Sequence, residues 1–337
     1  MTSGDSLLPL SATGSREPIA VVAAGCRFPG SADDPEAYWQ FLHDGGDAVG
    51  PVPATRWGAD GAGTARAYAH HMATLDGIDG FDAGFFGISP REAASMDPQH
   101  RLLLEVAWEA VERAAWSPRL LAGSQTGVFI GIYSDDYAQE RLYRREAAQI
   151  DGHAGLAMMR SLAAGRIAYA LDLRGPVMAL DAACASSLLA IHLACRSLHA
   201  GECDRALAGG VNLVLAPEIT LALCEMKALS PSGRCRTFSA DADGFVRGEG
   251  CGVVALRRLS DALRYGDPVL GVIRGSAVNH DGRSNGISAP NGAAQQAVLR
   301  AALADADVPA ASVGFVEAHG TGTILGDPIE LRALDAV

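Results

Sequence analysis

Val177-Met-Ala-Leu-Asp-Ala-Ala-Cys184-Ala-Ser-Ser-Leu-Leu-Ala-Ile-His192 is an apolar run that changes its period at a cysteine. The residues before Cys184 read as a buried strand, and those after it as an amphipathic helix. A thiol at the mouth of a helix faces unpaired backbone N–H groups and the positive end of the helix dipole. That is the setting in which sulfur serves as a nucleophile. Inert packing is the competing reading, because free cysteine is among the most buried residue types. The small neighbours Ala182, Ala183, Ala185 and Ser186 favour the nucleophile, since they leave room for a substrate.

The same strand-to-helix alternation runs outward in both directions. Strands are expected at 18–25, 126–132, 177–183, 205–214, 252–256, 268–279 and 313–319. Helices are expected at 98–115, 156–170, 186–199 and 291–306. Residues 27–90, rich in Gly, Pro and Asp, read as irregular structure pinned by aromatics. Such alternation predicts an α/β fold with buried sheets.

Bulk composition narrows the function. The chain has 337 residues, 49% hydrophobic and 20% charged, enough for a large core. A net charge of −12 argues against a nucleic-acid surface. The seven cysteines include no C-x-x-C pair, so neither a disulfide framework nor a zinc site is indicated. The N-terminal residues lack the basic and apolar regions of a signal peptide, and no apolar stretch is long enough to span a bilayer. A cytoplasmic protein with no membrane partner is the expectation. His70-His71 and Asp241/Asp243 lack convergent ligand spacing, so no metal is assigned. The Gly-rich stretch 320–326 matches neither nucleotide-binding signature.

A second chemical candidate is His319-Gly-Thr-Gly-Thr323. An imidazole at a strand end, followed by two hydroxyls on a freely bending backbone, offers hydrogen-bond donors to a substrate. A hydrogen-bonded core histidine followed by a turn is the alternative. A cysteine and a histidine far apart in sequence, each at a strand end, suit thiol catalysis.

Several long stretches follow one another along the chain: Glu17-Pro-Ile-Ala-Val-Val-Ala-Ala-Gly-Cys-Arg-Phe-Pro-Gly30, Phe85-Phe-Gly-Ile-Ser-Pro-Arg-Glu92 and Met96-Asp-Pro-Gln-His-Arg-Leu-Leu-Leu-Glu105. Asp181-Ala-Ala-Cys-Ala-Ser-Ser-Leu188, Asp243-Gly-Phe-Val-Arg-Gly-Glu-Gly250, Glu317-Ala-His-Gly-Thr-Gly-Thr323 and Gly326-Asp-Pro-Ile-Glu330 complete the series. Together and in this order they resemble the β-ketoacyl synthase (ketosynthase) domain of type I polyketide synthases.

The resemblance implies a thiolase-like fold of two related halves whose sheets stack around central helices, usually as a homodimer. It divides the chain into a flexible leader (1–17), a first half (18–260) and the start of a second half (261–337). It implies that Cys184 takes an acyl group from the phosphopantetheine thioester of an acyl carrier protein. Decarboxylative Claisen condensation with a malonyl-type extender follows. His319 is implied as a donor to the extender's thioester oxygen, and Thr321 and Thr323 as contacts to the pantetheine arm. Glu330 resembles an acidic residue that orders the site through a lysine. No tightly bound cofactor is implied, and the other implied partners are further synthase domains such as an acyltransferase.

Two residues depart from the pattern: Ala182 stands where the family usually has Thr, and Ala185 where it has Ser. The family also continues with a Lys-Ser-Asn stretch and a second Gly-His histidine, neither of which occurs in these 337 residues. The expectation is an incomplete second half and no condensation by this chain alone. The alternative is a non-catalytic remnant that binds carrier protein or dimerises.

Overall fold

The computed structural model describes residues 16–57, 67–144 and 152–337. Nine strands are assigned among them: β1 (Ile19–Arg27), β2 (Val49–Pro51), β3 (His71–Ala73), β4 (Thr126–Gly131), β5 (Val177–Leu180), β6 (Arg205–Asn212), β7 (Arg247–Gly248), β8 (Gly250–Arg258) and β9 (Gly271–Ile273). Six form one mixed sheet in the order β5-β4-β6-β8-β1-β9, and β2, β3 and β7 form a small second sheet. β4 runs parallel to β5 and β6, while β8 is antiparallel to both β6 and β1.

Both faces of the large sheet are covered, so successive strand residues enter different cores. Val128 and Ile130 pack with Leu103, Val106 and Ala110 of the helix Pro98–Arg113 and with Ile167 of the helix Ser161–Ala170. Phe129 and Ala208 pack on the opposite face with Ala190, Ala194 and Leu198 of the helix Ser186–Ala200. This two-sided burial is why the strands read as continuous apolar runs. A register shift between Val21 and Ala23 turns both Val22 and Ala23 toward the first core.

The helix starts follow from the sequence. Asp97 caps the helix Pro98–Arg113 by accepting from Gln99 N at 2.8 Å, with Pro98 in the first turn. The helix expected at 156–170 is two helices, Gly152–Ala157 and Ser161–Ala170, with Arg160 in the break. Of the leader expected at 1–17, residues 1–15 lie outside the described residues. Glu17 accepts from Ser260 N at 2.7 Å through its carboxylate.

Two expected strands differ. The run 268–279 forms only the short β9, added to the edge of the large sheet beside β1. The run 313–319 forms no ladder, and Phe315 is 78% exposed. A strand needs a neighbouring edge to satisfy its backbone, and among the described residues none is presented to this segment. The helix Gly292–Ala306 likewise has no buried residue. Among the described residues no helix is long and apolar enough to cross a membrane.

Candidate active site

Cys184 lies in a 3₁₀ turn, Ala183–Ala185, between β5 and the helix Ser186–Ala200. The turn is sharp: Ala183 has φ of 49°, in the left-handed region that non-glycine residues rarely occupy. Side chains on both flanks hold it there. Ser186 Oγ accepts from Ala182 N at 2.8 Å and donates to Ala183 O at 2.7 Å. Asp181 accepts from Ala183 N at 3.1 Å and pairs with Arg160 at 2.9 Å. Arg160 also donates to Tyr133 O at 3.0 Å, tying the elbow to the end of β4. Ala185 N bonds to Ala182 O, which leaves the Cys184 N–H without an acceptor among the described residues.

Two glycines let this elbow sit down on the sheet. A Cβ at Gly131 would come within 2.7 Å of the Ser186 backbone, and one at Gly210 within 3.1 Å of Ser187 Cβ. Neither contact can be relieved by turning a flexible side chain. Gly131→Val should therefore push the helix start off β4 and lower the reactivity of the Cys184 thiol toward a thioester at least tenfold, as ångström-scale displacement of a reacting group does. Intact-mass measurement of adduct against time checks this, and an unchanged rate would contradict it.

The remaining cysteines separate by exposure. Cys26, Cys195, Cys203, Cys224 and Cys251 are buried, whereas Cys184 and Cys235 are exposed. Burial pushes the Cys26 thiol up to about 11 and that of Cys195 to about 12, and it raises Cys203 and Cys251 as well. Iodoacetamide at pH 8 should thus modify Cys184 and Cys235 in the native protein and spare the other five, as read by peptide mass mapping. Comparable labelling of Cys195 or Cys251 would refute the assignment.

Cys184 opens on a cavity of about 700 Å³. Its floor is the sheet at Gly131, Ala208, Gly210, Gly252 and Val254, and its walls include Ile191, Ile219, Leu223, Phe245, Tyr133 and Arg247. The lining is mainly aliphatic and aromatic, with glycines where strand backbone is exposed to the cavity.

His319, Thr321, Thr323 and Glu330 form a second cluster. Glu330 accepts from His319 N at 2.7 Å and from Gly320 N at 2.8 Å, so one carboxylate clamps the backbone that carries the imidazole. Asp327, buried, accepts from Gly322 N at 3.0 Å and from Phe238 N at 2.6 Å. The Thr321 and Thr323 hydroxyls lie 3.0 Å apart, and Thr323 Oγ1 also accepts from Gly326 N at the start of the helix Gly326–Asp335. Gly320 and Gly322 take φ of 51° and 72°, which the tight loop requires.

No hydrogen bond joins this cluster to Cys184 among the described residues, and His319 does not line the cavity. One segment touches both. Thr237 Oγ1 donates to Gly320 O at 2.6 Å and Gly244 N to Gly322 O at 2.9 Å, while Phe245, Val246 and Arg247 form part of the cavity wall. The Gly-rich stretch 241–250 is therefore the connection between the two clusters. Ser186, Asp181, Arg160 and Asp327 are positioning groups whose partners the sequence does not reveal. Asp181, Ser186 and Asp327 lie inside the motifs, which is the signal they carry; Arg160 carries none of its own.

His70 and His71 are exposed at β3. Among the described residues no group of three or more His, Cys, Asp or Glu is arranged to hold a metal.

A mixed sheet covered by helices carries a cysteine on a strained strand-to-helix elbow above an apolar cavity, and this is the arrangement of a thiolase-like fold. The chain belongs to the β-ketoacyl synthase family: the N-terminal domain of that family matches residues 16–262 and the C-terminal domain residues 270–337. It is 55% identical over 326 residues to one of the phenolphthiocerol/phthiocerol polyketide synthase proteins of Mycobacterium tuberculosis (strain CDC 1551 / Oshkosh), covering 95% of this chain and 18% of that protein. Another protein of the same synthase and strain is 53% identical over 332 residues, with 95% and 21% covered. The chain thus spans about a fifth of the length of these relatives. Among solved structures, the ketosynthase from module 6 of the bacillaene synthase of Bacillus subtilis 168 superposes with a TM-score of 0.87 at 40% identity, covering 95% of this chain and 54% of that one. An oxazolomycin ketosynthase domain of Streptomyces albus JA3453 gives 0.86 at 40% identity, with 95% and 56% covered.

Proposed function

We propose that this chain supplies the acyl-accepting nucleophile of a polyketide chain-extending condensation. The observation that carries the reading is Cys184, held on the strained Ala183 elbow at the mouth of the apolar cavity.

In the first step Cys184 Sγ attacks the carbonyl carbon of an acyl thioester on the phosphopantetheine arm of a carrier protein. The bond from that carbon to the pantetheine sulfur breaks, and the proton lost by Cys184 leaves on the pantetheine thiol. The Cys184 N–H faces the oxyanion of the tetrahedral intermediate. The acyl chain extends into the apolar cavity, where burial of each methylene is favourable by about 0.8 kcal/mol.

In the second step a malonyl-type thioester loses CO₂, and the electron pair of the broken C–C bond becomes the enolate. His319 donates a hydrogen bond to the enolate oxygen. The enolate carbon attacks the acyl-Cys184 carbonyl, Cys184 leaves as thiolate, and a β-ketoacyl thioester results. Glu330 serves by fixing the backbone of His319 and Gly320. Thr321 and Thr323 stand at the same loop and suit the pantetheine arm.

The size of the relatives supports carrier protein and further synthase domains as partners. The edge strand β5 leaves Val177 and Met178 exposed, and its outer backbone edge, which pairs with no strand among the described residues, suits pairing with a second copy. Incubation with an acyl-pantetheine thioester, followed by intact mass and peptide mapping, tests the reading. An adduct on Cys184 is the expected result, and an adduct confined to Cys235 would overturn it.

A further inference from the structure

Arg247 is buried in the wall of the Cys184 cavity, and no carboxylate lies within ion-pair distance of it among the described residues. Its hydrogen bonds go to two neutral oxygens. NH1 donates to Thr220 Oγ1 at 2.7 Å and NH2 to the Tyr133 hydroxyl at 3.3 Å. The other guanidinium groups with little exposure are answered differently. Arg257 pairs with Asp267, Arg56 pairs with Glu249, and Arg205 lies over the Trp116 ring. A guanidinium is never neutral in a protein, so a buried one with only neutral partners keeps unspent attraction for an oxygen acceptor. Tyr133, Cys184 and Arg247 line the same cavity and Tyr133 bonds Arg247, so the cation stands in the cavity that a chain attached to Cys184 would enter.

We infer that Arg247, anchored by Thr220 and Tyr133, selects acyl chains that carry an oxygen substituent near the thioester, such as a β-hydroxyacyl chain, over fully reduced ones. This rests on the acyl-enzyme reading of Cys184 and adds a substrate class to it. A fully alkyl chain placed beside Arg247 strips water from the guanidinium and returns no acceptor. An oxygenated chain restores a charge-assisted hydrogen bond, which is stronger than a neutral one.

The test compares hexanoyl-pantetheine with 3-hydroxyhexanoyl-pantetheine as acyl donors to the 337-residue chain, with Cys184 adduct followed by intact mass. The expected result is a preference of about tenfold or more for the hydroxylated donor. Arg247→Met should lose that preference by slowing transfer from the hydroxylated donor to the hexanoyl rate. Tyr133→Phe and Thr220→Val, which keep the guanidinium but loosen it, should each reduce the preference. Equal rates for both donors in the unaltered protein would overturn the inference while leaving Cys184 as the acyl acceptor. Absence of adduct with either donor would overturn the acyl-enzyme reading and this inference with it. A folded Arg247→Met protein that slows both donors equally would show Arg247 to be structural and overturn the inference. Should Arg247→Met fail to fold, an undiminished preference in Tyr133→Phe and Thr220→Val would do the same.

Discussion

Cys184→Ala should abolish covalent acylation, lowering adduct formation by at least about a thousandfold, because removing the proposed acceptor thiol leaves only binding and oxyanion contacts. The geometry makes the substitution clean. Cys184 is exposed on its turn, and the turn is held by Asp181 and Ser186 through the backbone of Ala182 and Ala183. None of those bonds uses the thiol. The variant should therefore fold with an unchanged thermal midpoint and an unchanged elbow, and lose only the acceptor. Cys235 supplies the internal control, since it is the other exposed thiol. Its sulfur already accepts from Val246 N at 3.1 Å, and it does not line the cavity. Intact mass with an acyl-pantetheine donor reads the result directly, and a Cys184→Ala protein that still acquires a stoichiometric acyl group would remove Cys184 from the mechanism.

A second large effect concerns stability against pH, and it comes from two neighbours in the motif at 96–105. Burial pushes the Asp97 carboxyl up to about 6, although two bonds from Gln99 oppose the shift. Burial, reinforced by the nearby Arg166, holds the His100 imidazole down at about 3, and neither ring nitrogen has a hydrogen-bond partner among the described residues. Arg101 and Asp136 are the other charged groups acting on Asp97.

The signs oppose. Asp97 has a folded value above its unfolded value of about 3.8, so its stabilising contribution is complete below about pH 4 and is lost as pH rises through 6. His100 has a folded value below its unfolded value of about 6.5, so its contribution is complete above that pH and is lost as pH falls toward 3. Between about pH 4 and pH 6 the folded state binds one extra proton at Asp97 and one fewer at His100. The two slopes cancel there. Single variants should expose each one. His100→Gln should gain about 3 kcal/mol of stability on going from pH 7 to pH 4, relative to the unaltered protein over the same interval. Asp97→Asn should lose a similar amount over that interval, on the same scale of about 1.4 kcal/mol per proton per pH unit. Urea unfolding at the two pH values, with each variant referred to the unaltered protein, measures both. Parallel pH dependences for all three proteins would show that these two groups do not titrate as their burial dictates.

Why some residues were legible from sequence and others were not has a physical basis. The apolar runs at 126–131 and 205–212 are buried on both faces, so composition alone marks them as strands. The Pro98–Arg113 helix declares its start through Asp97 and Pro98 and its buried face through Leu103, Val106 and Ala110. The break at Arg160 was invisible, because the helical pattern continues across it and the break serves a distant partner, Asp181. The run 313–319 has the composition of a strand, yet a strand exists only where another edge accepts its hydrogen bonds.

The sequence by itself determined the family and marked Cys184 as the candidate nucleophile. Cys184 stands where a buried apolar run meets a helix, and the ordered motifs around it are long enough to name the fold. Glu330 and Asp327 were visible as part of a motif, but their targets, the backbone amides of His319, Gly320, Gly322 and Phe238, were not. The tertiary structure alone decided the strain at Ala183, the glycines that admit the elbow, the stretch 241–250 that links the two clusters, and the burial of Arg247 beside the cavity. Local pattern encodes which face of an element seeks the core. It carries no record of which distant backbone group or side chain will stand opposite once chain segments far apart in sequence are packed together.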